Sequence, residues 1–250
     1  MRLTANGLVI RERAVGEHDR LVVVLTAERG KITAFANGAR RIKHKNASST
    51  GLLCYSTMTF FQNKGTYQLD ESALIELFFK LRADIERLAL AQYFCDLMLE
   101  LAPEEEEAGE YLRLILNALH FLVEESRPPA LIKAVVELRA LSLAGYQPDL
   151  VGCAGCGRTD EQMSLHLREG TLLCPACQAD IGGPVYLLGG GVLAAMHHIV
   201  YSEFDRIFHF SLPESAGREL ARAAELYTLT QIDHSFKTLD FYHACQIEPQ

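Results

Sequence analysis

The sequence predicts an α+β multidomain fold, in which an N-terminal five-stranded β-barrel precedes an α-helical domain with an inserted four-cysteine zinc finger. Alternating and β-branched runs fill the first 78 residues, and the hydrophobic period becomes helical after residue 79. Two Cys-x-x-Cys pairs then interrupt the helical part between residues 153 and 177. These three observations predict the order of the domains.

Five short runs near the N-terminus have the pattern of β-strands. They are GLVIRERA, RLVVVLTA, GKITAFAN, YSTMTFFQ and TYQLDESALIELFF, separated by Gly-containing or polar turns and one long polar stretch. Five such strands without an intervening helix are typical of a small closed barrel such as the OB-fold. An SH3-like barrel or an open sheet has the same periodicity, so the period alone does not choose among the three folds.

Two helices are predicted to follow the strands directly. Leu81, Ile85 and later apolar residues mark the first helix, which ends at Pro103. The second helix is expected to begin at once, with Glu104–Glu107 in its first turn, because carboxylates there favour the positive end of the helix dipole. We interpret these four carboxylates as a solvated helix start and not as a metal or substrate site.

Three further helices are predicted on either side of the cysteine pairs. Pro128 and Pro129 open one of them and Gly145 closes it, which is the usual order of proline and glycine at helix ends. GGGVLAAMHHIVYSEF and PESAGRELARAAELYTLTQI have helical patterns beyond the cysteines. The cysteine segment is therefore expected to be an insertion within a helical body.

The cysteine spacing predicts a metal site. The ligands are expected to be Cys153, Cys156, Cys174 and Cys177, spaced C-x2-C-x17-C-x2-C. Two residues between thiolates let one turn point both sulfurs at one ion, and Gly155 and Gly157 relieve the strain of that turn. Four thiolates fill every position around a tetrahedral zinc, so we predict one structural Zn2+ per chain and no hydrolytic centre. A thioredoxin-like redox pair or an iron–sulfur cluster fits this spacing less well.

Composition favours a cytoplasmic protein. The 250-residue sequence contains no run of 18 apolar residues, and charges interrupt its N-terminus where a signal peptide requires an apolar stretch. Residues 1–80 contain 12 Lys and Arg against 7 Asp and Glu, a net charge of +5, whereas residues 81–250 contain 12 against 25, a net charge of −13. A basic first third on an acidic remainder predicts that the N-terminal part binds a polyanion.

The stretch NGARRIKHKN, residues 37–46, concentrates positive charge between the third and fourth strands. It contains Arg40, Arg41, Lys43 and Lys45 within six positions. Like charges so close together repel one another unless an anion neutralises them, so we predict that this loop contacts a phosphate backbone. Arg29 and Lys31 are expected to be its neighbours.

Other candidate residues have simpler interpretations. Phe60, Phe61 and Tyr67 offer stacking surfaces for bases, but strand alternation is expected to place at least half of them in the core. The remaining cysteines, Cys54, Cys95 and Cys245, are expected to be small buried hydrophobes. His197 and His198 are adjacent on a predicted helix and so face different directions. In the absence of G-x-S-x-G, H-E-x-x-H and P-loop motifs, the sequence predicts no enzyme active site.

Three features carry a resemblance to a known family: the five-strand segment with GARRIKHK, the helical middle, and the stretch ELRALSLAGYQPDLVGCAGCG. Through them the whole chain resembles the RecO family of bacterial recombination mediators. The junction LAGYQPDLxxCxxCG is the most specific part of the resemblance. The basic loop matches the family in GxRR and in its lysines, and it departs afterwards, where NASSTGLLCYSTM replaces a segment of the Leu-x-Pro-Phe type.

The resemblance implies an OB-fold that binds single- and double-stranded DNA, a helical domain with a structural zinc finger, and no active site. It also implies annealing of complementary strands and, with RecR, loading of the RecA recombinase onto DNA coated by single-stranded-DNA-binding protein, whose C-terminal tail is a further partner. This activity is expected at the nucleoid, with no membrane or small-molecule substrate.

The expected domains are the DNA-binding barrel at 1–79, helical parts at 80–150 and 183–250, and the zinc finger at 151–182. The alternatives are a zinc-ribbon nucleic-acid-binding or transcription factor without annealing activity, and a zinc-dependent or redox enzyme.

Overall fold

Five N-terminal strands close into a barrel in the computed structural model, which describes residues 2–63, 65–159 and 162–246. The strands are β1 (Arg2–Val15), β2 (Asp19–Thr26), β3 (Gly30–Ala36), β4 (Tyr55–Asn63) and β5 (Thr66–Glu76). They are ordered β1-β2-β3-β5-β4, β4 also pairs with β1, and β3 pairs parallel to β5. This is the topology of the OB-fold, so the predicted five-stranded barrel is confirmed and the open sheet is wrong.

Strand alternation fills the barrel with small and β-branched side chains. In β3 every second residue from Gly30 to Ala36 is buried, and the residues between them are more exposed. The core of the barrel includes Val9, Val22, Val24, Ile32, Ala34, Met58 and Phe60. The barrel is closed by the pairing of β1 with β4 along most of the length of β4, which leaves neither strand as a free edge there.

Seven α-helices are found in the described residues. They are α1 (Ile85–Leu101), α2 (Gly109–Glu124), α3 (Pro129–Leu143), α4 (Pro175–Gln178), α5 (Gly190–Tyr201), α6 (Glu214–Ile232) and α7 (Lys237–Cys245). The predicted third helix, with Pro129 at its start, and the two helices beyond the cysteines are confirmed. In the part of the chain that the structure describes, none of these helices is both long and apolar enough to cross a membrane.

The first helix begins later than its apolar pattern indicates. Leu81 lies in a short 3₁₀ helix (Phe79–Ala83), and α1 starts only after Asp84, whose carboxylate accepts a hydrogen bond from the Arg87 backbone N–H at 3.1 Å. Side-chain capping of this kind satisfies a backbone donor that has no partner within the helix. The cap therefore sets the start of α1, and its end before Pro103 is as predicted.

The prediction that Glu104–Glu107 form the first turn of the second helix is wrong. This segment lies outside any helix and runs along the turn between β2 and β3. The Lys31 N–H donates to the Pro103 carbonyl at 2.9 Å, and the Ala108 N–H donates to the Ala27 carbonyl at 2.7 Å. Because its flanking backbone groups are bonded to β3 and to the turn before it, the segment stays outside a helix and α2 begins beyond it.

Contacts divide the described chain into two compact units. The first contains residues 2–124 and 237–246, and the second contains residues 125–236. In the first unit α7 packs on α1, where Thr238 Oγ1 donates to Asp96 Oδ2 at 2.8 Å. The four-part division of the chain into functional domains stays a prediction.

The second unit combines three helices with a small sheet. α3 packs on both α6 and α5. The sheet consists of β6 (Asp149–Cys153), β7 (Met163–His166), β8 (Thr171–Leu173) and β9 (Val185–Leu188), ordered β6-β8-β7-β9. One cysteine pair begins at the last residue of β6 and the other lies at the start of α4, so the sheet brings together two segments that are distant in sequence.

Candidate metal centre and candidate nucleic-acid interface

The four predicted cysteine ligands form one cluster. Cys153 ends β6, Cys156 lies in the following turn, Cys174 precedes α4 and Cys177 lies within α4. Their sulfur atoms all lie within 4.8 Å of one another, and the Cys156 and Cys174 sulfurs are 3.8 Å apart. All four are free thiols, so no disulfide competes for them.

This geometry fits a tetrahedral metal ion. Four sulfurs at a zinc–sulfur distance of about 2.3 Å would be separated from one another by about 3.8 Å, which is the separation of the Cys156 and Cys174 sulfurs. A disulfide requires a much shorter sulfur–sulfur distance of about 2.05 Å. The four cysteines could therefore hold a metal ion, and four thiolates would leave no open position for a catalytic water.

Tight turns place the two sulfurs of each pair. In the first pair the Gly157 N–H donates to the Cys153 carbonyl at 2.8 Å, and Gly157 has a φ of +73° that favours glycine. A Cβ on Gly155 would lie 2.9 Å from the Cys177 sulfur, so glycine there leaves room for the second pair. In the second pair the Gln178 N–H donates to the Cys174 carbonyl at 3.0 Å.

Backbone amides and neighbouring thiols polarise the cluster. The Cys174 N–H donates to the Cys153 sulfur at 3.3 Å, and this hydrogen bond is the main cause that lowers the pKa of the Cys153 thiol to about 6. Hydrogen bonding to the Cys156 and Cys174 sulfurs raises the pKa of the Cys177 thiol to about 12. Four thiolates would repel one another at these distances, and a bound dication would compensate their charge.

The basic loop at residues 37–46 consists of successive tight turns. The Arg41 N–H donates to the Gly38 carbonyl, and the His44 N–H donates to the Arg41 carbonyl, both at 2.9 Å. A third turn is closed by the Ala47 N–H, which donates to the His44 carbonyl at 3.0 Å. The loop is therefore a series of hydrogen-bonded turns and not an unstructured segment.

Both ends of the basic loop are fixed to the barrel. At one end the Gly38 N–H donates to Asp19 Oδ1 at 2.7 Å. At the other end Asn46 is buried, its Nδ2 donates to the Asp70 carbonyl at 3.1 Å, and its Oδ1 accepts from the Ser72 N–H at 3.0 Å. These bonds hold the loop against β2 and β5, so its exposed tip is positioned before any ligand binds.

The tip of the loop carries Arg41, Ile42 and Lys43, and all three are exposed. Arg41 and Lys43 form no ion pair with any residue that the structure describes. Two cations without a carboxylate partner remain available to an external anion, because no internal charge has to be displaced first. The structure thus brings these two predicted residues to one exposed point.

Arg40 and Lys45 also lie on this loop, but each contacts the barrel. Arg40 Nη1 donates to the carbonyls of Gly16 and Glu17, in the turn between β1 and β2, at 2.9 and 3.1 Å. Lys45 Nζ lies 3.1 Å from Glu71 Oε1 on β5. The turn between the first two strands is one of the two loops that OB-folds use to bind oligonucleotides. Arg40 therefore fixes the basic loop beside a surface suited to that role.

Arg29 and Lys31 are not placed with the basic loop. Lys31 Nζ donates to the Leu99 carbonyl near the end of α1 at 2.6 Å, and its side chain is only 11% exposed. Arg29 lies 3.6 Å from the Glu105 carboxylate. Glu104 and Glu105, from the segment predicted to begin a helix, thus supply carboxylates to Lys31 and Arg29. Lys31 also places its positive charge at the C-terminus of α1, where the helix dipole favours a cation.

We predict that Lys31→Ala lowers the free energy of unfolding by about 1.5–3 kcal/mol, because it removes a largely buried, charged hydrogen-bond donor. Affinity for single-stranded DNA should not change. Denaturant unfolding measures the stability, and a titration with single-stranded DNA measures the affinity. Lys43→Ala is the comparison variant, which should weaken DNA binding without lowering the stability. A stable Lys31→Ala protein with a reduced salt dependence of binding would instead assign Lys31 to the DNA surface.

The aromatic residues divide as strand alternation predicts. Phe60 and Tyr67 are buried and meet edge to face with ring centroids 6.2 Å apart, and Phe61 is 44% exposed. The Arg2 guanidinium lies 5.5 Å from the centroid of the Phe61 ring. A paired arginine and aromatic ring on a barrel surface suit base stacking. Arg2 was not predicted from the sequence, because its neighbour Phe61 is brought to it only by the pairing of β1 with β4.

Other residues considered from the sequence have structural roles. Cys54 and Cys95 are buried as predicted, and burial raises the pKa of both thiols. Cys245 is partly exposed, so the prediction of a buried side chain is wrong for this residue. His198 Nε2 lies 2.8 Å from the Arg206 carbonyl, and the His197 ring lies 4.6 Å from the Tyr201 ring. The two histidines therefore have separate partners.

Comparison with known proteins identifies the family of the chain. The family model Recombination protein O N terminal matches residues 1–78, and the model Recombination protein O C terminal matches residues 82–240. DNA repair protein RecO of Acetivibrio thermocellus is 34% identical over 241 residues, which cover 96% of this chain and 95% of that relative. DNA repair protein RecO of Symbiobacterium thermophilum is 32% identical over 240 residues, 94% of each chain. The chain therefore belongs to the RecO family of DNA repair proteins.

Proposed function

We propose that this chain is a non-enzymatic DNA-binding mediator of recombinational repair. In this proposal it anneals complementary single strands and, with RecR, helps to load RecA onto DNA coated by single-stranded-DNA-binding protein. The observation that carries the proposal is the position of Arg41 and Lys43, two exposed cations at the tip of an anchored loop on an OB-fold barrel. Membership of a DNA repair family and the basic charge of residues 1–80 support it.

The four-cysteine cluster has a structural role in this proposal. Zn2+ bound by Cys153, Cys156, Cys174 and Cys177 would join β6 to α4 and so fix the small sheet of the second unit. The finger, residues 151–182, does not contact DNA itself. DNA contact is assigned to the barrel, residues 1–79, through Arg41 and Lys43, with Arg40 and Lys45 at the margins of the contact.

The DNA contact makes a quantitative prediction. Replacing both Arg41 and Lys43 by alanine should reduce the slope of log affinity against log salt by about 1.4 for single strands, because each lost phosphate contact removes about 0.7. Oligonucleotides of different sequence should be weakened alike. Fluorescence anisotropy over a salt series measures both quantities. The matched control replaces Arg222 and Lys237, an exposed arginine and an exposed lysine elsewhere in the chain. If the folded Arg41/Lys43 variant keeps the wild-type slope, the loop is only a solvated surface.

An annealing assay tests the complete function. Two complementary oligonucleotides, each coated with single-stranded-DNA-binding protein, are mixed with the full chain, and duplex formation is followed by energy transfer between end labels. The wild type should accelerate annealing, the Arg41/Lys43 variant should not, and the Arg222/Lys237 control should match the wild type. DNA binding without any acceleration by the wild type would favour a zinc-ribbon nucleic-acid-binding factor instead.

A further inference from the structure

Ile42 has an environment that is unusual for a large apolar side chain. It is 98% exposed, more than any other large hydrophobic residue that the structure describes. Exposed apolar side chains are common singly on protein surfaces. Ile42 differs from them because it lies between Arg41 and Lys43, the two cations at the tip of the basic loop that pair with no carboxylate among the described residues.

The turn keeps Ile42 away from the barrel. The His44 N–H donates to the Arg41 carbonyl at 2.9 Å, which makes Ile42 and Lys43 the two central residues of a hydrogen-bonded turn. Asn46, buried at the base of the loop, holds this turn to β5. The isoleucine is thus presented outward on a hydrogen-bonded turn, away from the core of the barrel.

We propose that Ile42 is an apolar wedge that inserts between two adjacent bases of the bound DNA strand. This inference rests on the proposed DNA-binding function of the basic loop. Phosphates flank every base step, so cations on both sides of Ile42 would hold the backbone while the aliphatic side chain meets the faces of the bases. Isoleucine is among the side chains that nucleic-acid-binding proteins insert between base steps.

The wedge gives the loop a role beyond charge neutralisation. Separating two bases of a single strand interrupts its stacking, and unstacked bases are presented to a complementary strand. Contact with base faces is tolerant of sequence, because every base has an apolar face. Ile42 would therefore add affinity that does not depend on salt, whereas Arg41 and Lys43 supply the salt-dependent part.

Fluorescence of 2-aminopurine tests the proposal, because this base is quenched when it is stacked. A deoxyadenosine oligonucleotide carrying one central 2-aminopurine is titrated with the full chain to saturation. The wild type should raise the fluorescence, and Ile42→Leu should retain the rise. Ile42→Ser should abolish most of the rise and weaken binding roughly fivefold, with the salt slope unchanged. Ile85→Ser is the matched control, since Ile85 is 62% exposed at the start of α1.

The Arg41/Lys43 variant separates this inference from the proposed function. If that variant binds more weakly but Ile42→Ser behaves like the wild type, the wedge is wrong and the phosphate contact remains. If both variants behave like the wild type, the loop does not bind DNA and both proposals fail. A wild-type complex without any rise in fluorescence also overturns the wedge. Because Ile42 is exposed, its replacement leaves the fold intact, which circular dichroism checks.

Discussion

Replacing Cys153 by serine is expected to abolish zinc binding and to unfold residues 150–180 locally. The serine hydroxyl does not replace a thiolate ligand, and the free energy of structural zinc binding, roughly 10–16 kcal/mol in small zinc peptides, is largely expressed as folding. Cys153 ends β6, so its loss separates that strand from α4. Elemental analysis should show about one zinc per wild-type chain and near zero in the variant, and hydrogen exchange should accelerate in the same segment.

Cys245→Ser is the matched control for this experiment. Cys245 is a partly exposed thiol on α7, outside the cluster, so its replacement should leave both zinc content and hydrogen exchange unchanged. In the wild type the four cluster thiols should resist alkylation until a chelator is added. Wild-type protein purified without chelators that contains no zinc, and whose four thiols are all alkylated at once, would contradict the metal site.

Local sequence patterns predicted the parts of the structure that depend on local geometry. The spacing within each cysteine pair fixes a turn, so the four cysteines that cluster in the structure could be predicted before the fold was known. Period-two strands also predicted the barrel, although the resemblance to a family was needed to choose the OB-fold. Capping at Asp84 and the β9 strand were missed, because a short polar signal and a four-residue strand are weak in sequence.

Non-local contacts distinguish the cations of the candidate interface from one another. The basic loop was visible as charge density, but its cations differ in ways that no local pattern reveals. Lys31 meets a carbonyl 68 residues later in the chain, and Lys45 meets a carboxylate 26 residues later. The segment at Glu104–Glu107 was predicted as a helix start, because the bridge partners of Glu104 lie at the start of β3, far away in sequence. At the tip of the loop, Arg41 and Lys43 have no such partner among the described residues, and their contact with DNA stays a prediction.

The second large effect is expected for Lys133→Met, in the core of the second unit. Lys133 and Glu137, one turn apart on α3, are 2% and 0% exposed, with Lys133 Nζ 2.8 Å from Glu137 Oε1. The same Nζ lies 2.7 Å from Glu225 Oε2 on α6. Removing the lysine takes a charged partner away from the fully buried Glu137 carboxylate, which costs about 3–5 kcal/mol of the free energy of unfolding. Denaturant unfolding measures this loss, and Lys237→Met, at an exposed lysine, should change stability by less than about 0.5 kcal/mol.

A double variant decides whether the loss comes from the uncompensated charge. Lys133→Met combined with Glu137→Leu removes both buried charges and replaces them with apolar side chains, an exchange that is often neutral or stabilising in other proteins. Glu225 is 21% exposed and can turn its carboxylate toward water. The double variant should therefore be more stable than Lys133→Met alone, a non-additive result that packing defects do not produce. If the double variant is instead less stable than either single variant, the ion pair stabilises the contact of α3 with α6 directly, and burial of an unpaired charge is not the cause.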